Sequence, residues 1–271
     1  MKGRALFVVG MLVTAGCATA RPMTASPTLY TLPTESPKEL STLEEQLGAV
    51  GQLAMSQRFL EEFTPAVDNR LTRIGNRLTH YSERPNVPYQ YRYLDTFRAG
   101  AYSMPNGTIY LTRGLLEALH EDDQLAGIMA HEISHITHQH LVKAYHRQFS
   151  AGRVLGSMLA ATATTLIGRP DLGVWLVQQA AEQGYSQQQE LQADIMALRY
   201  LIRSGYGPTA YFEAMECVRH RAANEPPDPT QPMTFFATHP GWRDRVRALR
   251  EALPRIEQEE RVRYDPKDFA S

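Results

Sequence analysis

Two cysteines, two tryptophans and no surplus of charge of either sign set the first limits on this chain of 271 residues. Cys17 falls where N-terminal processing is expected, which leaves Cys217 without an internal partner and excludes a disulfide-stapled fold. Cys217 itself reads as a small buried hydrophobe rather than a ligand or nucleophile. With 28 Lys and Arg against 29 Asp and Glu, the formal charge of −1 argues against a surface built to hold nucleic acid. No internal apolar run reaches the roughly 20 residues that a membrane crossing needs. The most apolar one, 153–167, holds about 14 uncharged residues and stops at Gly168-Arg169-Pro170. It reads as a buried or site-covering helix, with a re-entrant, membrane-dipping segment as the alternative. No sequence repeat recurs, so a solenoid is excluded. What is present is ordinary: 43% hydrophobic and 21% charged residues, enough to build a core in one generous domain or two small ones.

The first residues are an address. Lys2 and Arg4 precede an apolar run at 5–15, then Thr14-Ala15-Gly16-Cys17, a pattern too short to span and suited to a secretory signal. A Cys directly after small residues resembles the lipobox of bacterial lipoproteins. That resemblance implies cleavage before Cys17 and lipidation of it; an ordinary signal peptide cut nearby is the alternative. Ala18 in place of Asp favours the outer membrane by the same resemblance. Residues 18–38, with Pro22, Pro27, Pro33 and Pro37 among Ser and Thr, read as an extended tether.

The folded part, 39–255, reads as α+β and mainly α-helical. Residues 40–63 carry Leu43, Leu47, Val50, Met55 and Phe59 at helical spacing, with Gly48 and Gly51 as weak points. Pro65 opens a second helix, and Arg84-Pro85 follows its end. Residues 89–95 alternate as a strand, and Pro105-Asn106-Gly107 predicts a hairpin between 101–104 and 108–111. Further helices are predicted from Asp122, over 187–204, over 211–220, and from Gly241 to about Leu253, followed by a charged tail at 256–271.

The chemistry is concentrated in His131-Glu132-Ile133-Ser134-His135. At 3.6 residues per turn the two histidines stack on one helix face and can share a zinc ion. Glu132, about 100° round the helix, can then act as base toward water. Zinc needs a third protein ligand, and Glu190 and Asp194 lie four apart on one face of a later helix. That spacing lets Glu190 bind the metal while Asp194 accepts the outer N–H of a ligand histidine. His138, about 10.5 Å from His131 along an unbroken helix, is too distant to share the ion. His138 and His140 read instead as supporting or surface histidines.

At this point the chain resembles the HtpX-like and CAAX-prenyl-protease-like zinc metallopeptidases, a gluzincin group with a zincin-type fold. HEISH at 131–135, ELQAD at 190–194, the SMPNGTIYLTRGLL run at 103–116 and THPGWRDR at 238–245 occur in the family's order. The resemblance implies one zinc per chain on His131, His135 and Glu190, with Glu132 as general base. It places His239 near the metal, as oxyanion stabiliser or regulatory extra ligand, and Arg245 as an organiser of the site; a structural, helix-capping His239 is the alternative. Gly100-Ala101-Tyr102 departs from the Asn-Ala-aromatic of many relatives. The hairpin edge at Ala101, Tyr102, Ser103 and Met104 can hold substrate as an added strand.

The signal and the absence of spanning helices make the outer-membrane lipoprotein members without a repeat domain the nearest in kind. The expected function is zinc-dependent proteolysis of unfolded or misassembled envelope proteins on the periplasmic side, near the outer-membrane assembly machinery. The alternative is a chaperone-like assembly factor whose zinc site is occluded by His239 or by 153–167.

Overall fold

A computed structural model describes residues 40–148, 185–225, 239 and 241–263. The signal sequence with Cys17, the tether at 18–38, the apolar stretch at 153–167 and the end of the charged tail lie outside the described residues.

Helix α1 (Thr42–Arg58) starts at Ser41, whose hydroxyl accepts from the Glu44 amide while the Glu44 carboxylate accepts from the Ser41 amide. Gly48 and Gly51 are where α1 rests on the hairpin. A Cβ on Gly48 would stand 2.2 Å from Asn106 Cγ, and one on Gly51 2.4 Å from Met104 Sδ. The helix stops five residues short of the expected end. Phe59 turns extended, packs beside Tyr102 with ring centroids 6.4 Å apart, and sends 60–62 along strand β1 (Gln90–Leu94). There the Glu62 amide donates to Tyr93 O and the Asp95 amide to Leu60 O, each at 3.0 Å. Pairing with the sheet outcompetes another helical turn.

Helix α2 (Pro65–His80) has proline in its first turn, as expected. Strands β2 (Ala101–Ser103) and β3 (Thr108–Thr112) form the predicted hairpin, with Tyr102 opposite Tyr110. β1 adds parallel to β3, with Tyr91 opposite Ile109, so the sheet order is β1-β3-β2 and β2 is an edge. Short α3 (Arg113–Ala118) is capped by the Thr112 hydroxyl and leads to α4 (Asp122–Thr137).

Helix α4 is the axis of the molecule: Leu125 through Thr137 are all buried. α2, β2, α6 (Gln187–Arg203) and α7 (Ala210–Asn224) pack around it. A helix apolar all round must be enclosed in this way. Its polar members, His131, Glu132, Ser134, His135 and Thr137, therefore need internal partners. α4 ends at Thr137; Gln139 takes φ 53°, and α5 (His140–Gln148) sets off afresh. The unbroken helix expected through His138 is thus interrupted.

The C-terminal helix α8 (Trp242–Arg263) passes through Pro254 and outruns the expected stop near Leu253. Residues 256–263, read as the start of the tail, are its last turns. Ile256 and Glu260 are buried there, and Glu260 accepts from Arg203 Nε at 2.7 Å and Nη2 at 3.1 Å. These tertiary contacts outweigh a helical proline's cost of about 3 kcal/mol. No described helix is long and apolar enough to cross a membrane. The mainly helical body with a small sheet beside the HExxH helix is the architecture expected from the sequence.

Candidate metal centre

One turn of α4 brings His131 Nε2 and His135 Nε2 within 3.0 Å of each other. α6 crosses this face and supplies Glu190 from its first turn. Glu190 Oε2 lies 3.7 Å from His131 Nε2 and Oε1 lies 3.5 Å from His135 Nε2. His239, just before α8, closes the cluster with its ring centroid 5.0 Å from that of His131 and 5.4 Å from that of His135. One donor atom from each of these four residues lies within 4.8 Å of all the others, and all four residues are buried.

The donor set suits a divalent cation. Burial holds His131 and His135 below the usual histidine range, so both rings are neutral, the form that ligates. Burial, with the Asp194 and Glu132 charges adding to it, pushes the Glu190 carboxyl well up against the opposing pull of Arg245. Among the described residues, Glu190 Oε1 is buried with no hydrogen-bond partner. A buried Glu190 carboxyl oxygen without a partner, facing two imidazole nitrogens only 3.0 Å apart, calls for a positive ion between them.

Glu132 sits off this cluster, on the side of β2. Burial pushes its carboxyl up to about 7, while the hydroxyl and amide of Ser103 pull the other way. Its Oε1 lies 3.4 Å from His239 Nε2. Ala101, Tyr102, Ser103 and Met104 are all buried, and β2 is an edge of the three-stranded sheet.

A second tier fixes the first. Asp194 Oδ1 lies 3.0 Å from His131 Nδ1. Burial opposes its ionisation, but the Arg245 charge, with hydrogen bonds from His131 and Arg245, holds Asp194 far below the usual carboxylate range. Arg245 donates from Nε to Asp194 Oδ2 at 2.7 Å, from Nη2 to Asp194 Oδ1 at 2.8 Å, and from Nη1 to Glu190. It also reaches the His239 carbonyl at 3.3 Å, tying Asp194, Glu190 and His239 to α8.

Tyr211 and Tyr185 escape sequence reasoning, whereas His140 is expected from it as a supporting or surface histidine. Tyr211, at the start of α7, donates to Asp194 Oδ1 at 2.6 Å and lies 3.0 Å from His131 Nδ1. Tyr185 stacks on His135 with centroids 3.8 Å apart. His140 places Nδ1 2.9 Å from His135 Nδ1. His138 and His140 are both buried, so the surface alternative fails for both. Cys217 is half-buried against the core and carries a free thiol.

The family described as Peptidase family M48 matches residues 65–253. The chain is 29% identical over 224 residues to the beta-barrel assembly-enhancing protease of Escherichia coli (strain K12), covering 78% of this chain and 44% of that protein. It is 27% identical over 186 residues to the protein of the same name from Yersinia pestis, covering 66% of this chain and 37% of that one. It is 23% identical over 187 residues to the mitochondrial metalloendopeptidase OMA1 of Schizosaccharomyces pombe, covering 68% of this chain and 52% of that protein. The chain thus spans about half or less of the length of these relatives. They support the metallopeptidase family as a whole and do not single out its HtpX or CAAX-prenyl-protease branches.

Proposed function

The chain belongs to peptidase family M48, and on that footing we propose that it is a zinc-dependent endopeptidase of the bacterial envelope. The observation that carries this reading is the buried cluster of His131, His135, Glu190 and His239 with the Glu132 carboxylate beside it. His131, His135 and Glu190 would hold the ion. Zinc bound there would supply Lewis acidity toward a peptide carbonyl and water.

The chain's own residues do the rest. Glu132 takes the proton of the attacking water and hands it to the departing amine. Asp194 and Arg245 keep His131 and Glu190 oriented, so little reorganisation is needed during reaction. His239 supports the developing oxyanion from across the cluster. The main chain of β2 holds an extended segment of substrate through backbone hydrogen bonds, which favours unfolded or misassembled proteins over a fixed sequence. The processing signal at Cys17 supports a lipid anchor on the periplasmic side of the outer membrane. The names of the bacterial relatives support substrates or partners connected with outer-membrane protein assembly.

A second reading has one specific observation in its favour. His239 contributes to the four-residue cluster, and a fourth ligand would fill the position that water needs. The protein would then serve as a chaperone-like assembly factor whose hydrolysis is conditional. Zinc content and casein cleavage, measured beside Glu132→Gln and His239→Ala, separate the two. About one zinc per chain with cleavage at least ~100-fold lower in Glu132→Gln supports the peptidase. Zinc with cleavage only in His239→Ala supports the conditional site. A chain that binds no zinc sinks both.

A further inference from the structure

Asp194 serves His131 from outside the cluster, but among the described residues no carboxylate serves His135 in the same way. Its Nδ1 faces another imidazole, His140 Nδ1, at 2.9 Å with the rings at 76°. The far nitrogen of that ring, His140 Nε2, lies 3.1 Å from Gln192 Oε1. An amide oxygen only accepts, so the proton of the neutral His140 ring resides on Nε2 and its Nδ1 is bare. Two bare nitrogens would repel at 2.9 Å, so the hydrogen between the rings belongs to His135 Nδ1. A neutral imidazole has one proton, which leaves His135 Nε2 with its lone pair toward the cluster.

The backbone is shaped for this contact. On a continuous helix a residue five positions on lies about 140° round the axis and cannot face its predecessor. The break after Thr137 and the left-handed Gln139, φ 53°, bring His140 back against His135. Left-handed backbone is uncommon outside glycine and strained. α6 then pins the recovered position twice: Gln189 Nε2 donates to the His140 carbonyl at 3.0 Å, and Gln192 meets the ring. Arg147 in turn holds Gln189 Oε1 at 2.7 Å, which leaves the Gln189 NH2 for the carbonyl.

The geometry points to His140 and Gln192 as positioning residues that set the ring orientation and tautomer of His135 for metal binding. The two histidines of the HExxH motif are thus held by different chemistry, an anionic carboxylate for His131 and a neutral imidazole–amide chain for His135. The inference rests on His135 being a ligand, as proposed above.

Two measurements on the full-length chain test it. Zinc affinity, measured by competition with a chromophoric chelator, is expected to fall about 10–100-fold in Gln192→Leu. It is expected to stay within a few-fold of the wild type in Gln192→Glu, which keeps an acceptor oxygen. Equal affinity for Gln192→Leu and the wild type overturns the inference, as does an equal loss in both variants. The second is the 15N spectrum of histidine-labelled, zinc-free protein, with His140→Gln used for assignment. It should show a proton on His135 Nδ1 and on His140 Nε2; a proton on His140 Nδ1 overturns the inference. A wild type that binds no zinc would remove the functional reading, while the spectrum would still decide the proton chain.

Discussion

Single atoms decide how α1 meets the hairpin. A methyl group on Gly48 would strike Asn106 at Cγ, 2.2 Å, and at Cβ, 2.4 Å, next to the backbone where little can give. On Gly51 the first obstacle is Met104 Sδ at 2.4 Å, midway along a side chain that can swing aside. Gly48→Ala should therefore cost about 1–3 kcal/mol by overpacking, and Gly51→Ala distinctly less. Urea titrations of both variants check the order; equal costs would mean that the hairpin moves as a body. The sequence marks these glycines only as weak points in a helix, because the neighbour that explains them lies more than fifty positions on. The same limit governs the candidate metal centre. His131, Glu132 and His135, and likewise Glu190 and Asp194, are legible because helical periodicity encodes their shared faces. Tyr211, Tyr185 and Gln192 carry no such local period, and only the packing of α4 against α6 and α7 gives them their places.

Among the elements, the attachment of α1 to the rest rests on a buried ion pair. Arg84 Nη1 lies 2.6 Å from Glu44 Oε1, both side chains fully buried, and also 3.4 Å from the Ile136 carbonyl near the end of α4. Arg84→Met leaves a buried carboxylate uncompensated and should cost about 3–5 kcal/mol, read as a lower Tm. Adding Glu44→Leu should recover much of that, because the double variant buries no charge. Burial alone would raise the Glu44 carboxyl, but Arg84 and the Ser41 amide and hydroxyl outweigh it and hold it below its ordinary 4.5. A depressed folded value means that the contribution is full above about pH 4.5 and is lost as pH falls through the folded value. Melting curves from pH 6 to 3 should show a steeper loss for the wild type than for the double variant. Element ends were the least legible feature. Phe59 leaves α1 early for a place beside Tyr102, and α8 runs through Pro254 because Arg203 and Arg199 hold Glu260. In both cases a distant partner overrides a local signal.

For the whole molecule, a metal shared by α4 and α6 would be a cross-link between the two helices at its centre. Anything that binds only the native state stabilises it by mass action, about 2.7 kcal/mol when free ligand is a hundred times its Kd. Stripping zinc with a chelator should lower Tm by several degrees, and returning zinc should restore it; a Tm indifferent to both would mean that the site does not hold the ion in the folded protein. The broad architecture, helices around a small hairpin-bearing sheet, was legible because periodicity and turn residues are local properties. The parallel addition of β1 to β3 was not, since nothing within either strand specifies its neighbour.

The site also draws on three parts of the chain far apart in sequence: 131–135 on α4, 190–194 on α6, and 239–245 at the start of α8. A growing or partly folded chain has its first two histidines side by side as soon as α4 forms, yet lacks the carboxylate and the arginine that make them useful. On the proposed reading, hydrolytic power therefore arrives late and all at once, with the last long-range closures, which are the slow events of folding. A peptidase assembled in that order would be no hazard to itself, or to other unfolded chains, while it is still being made.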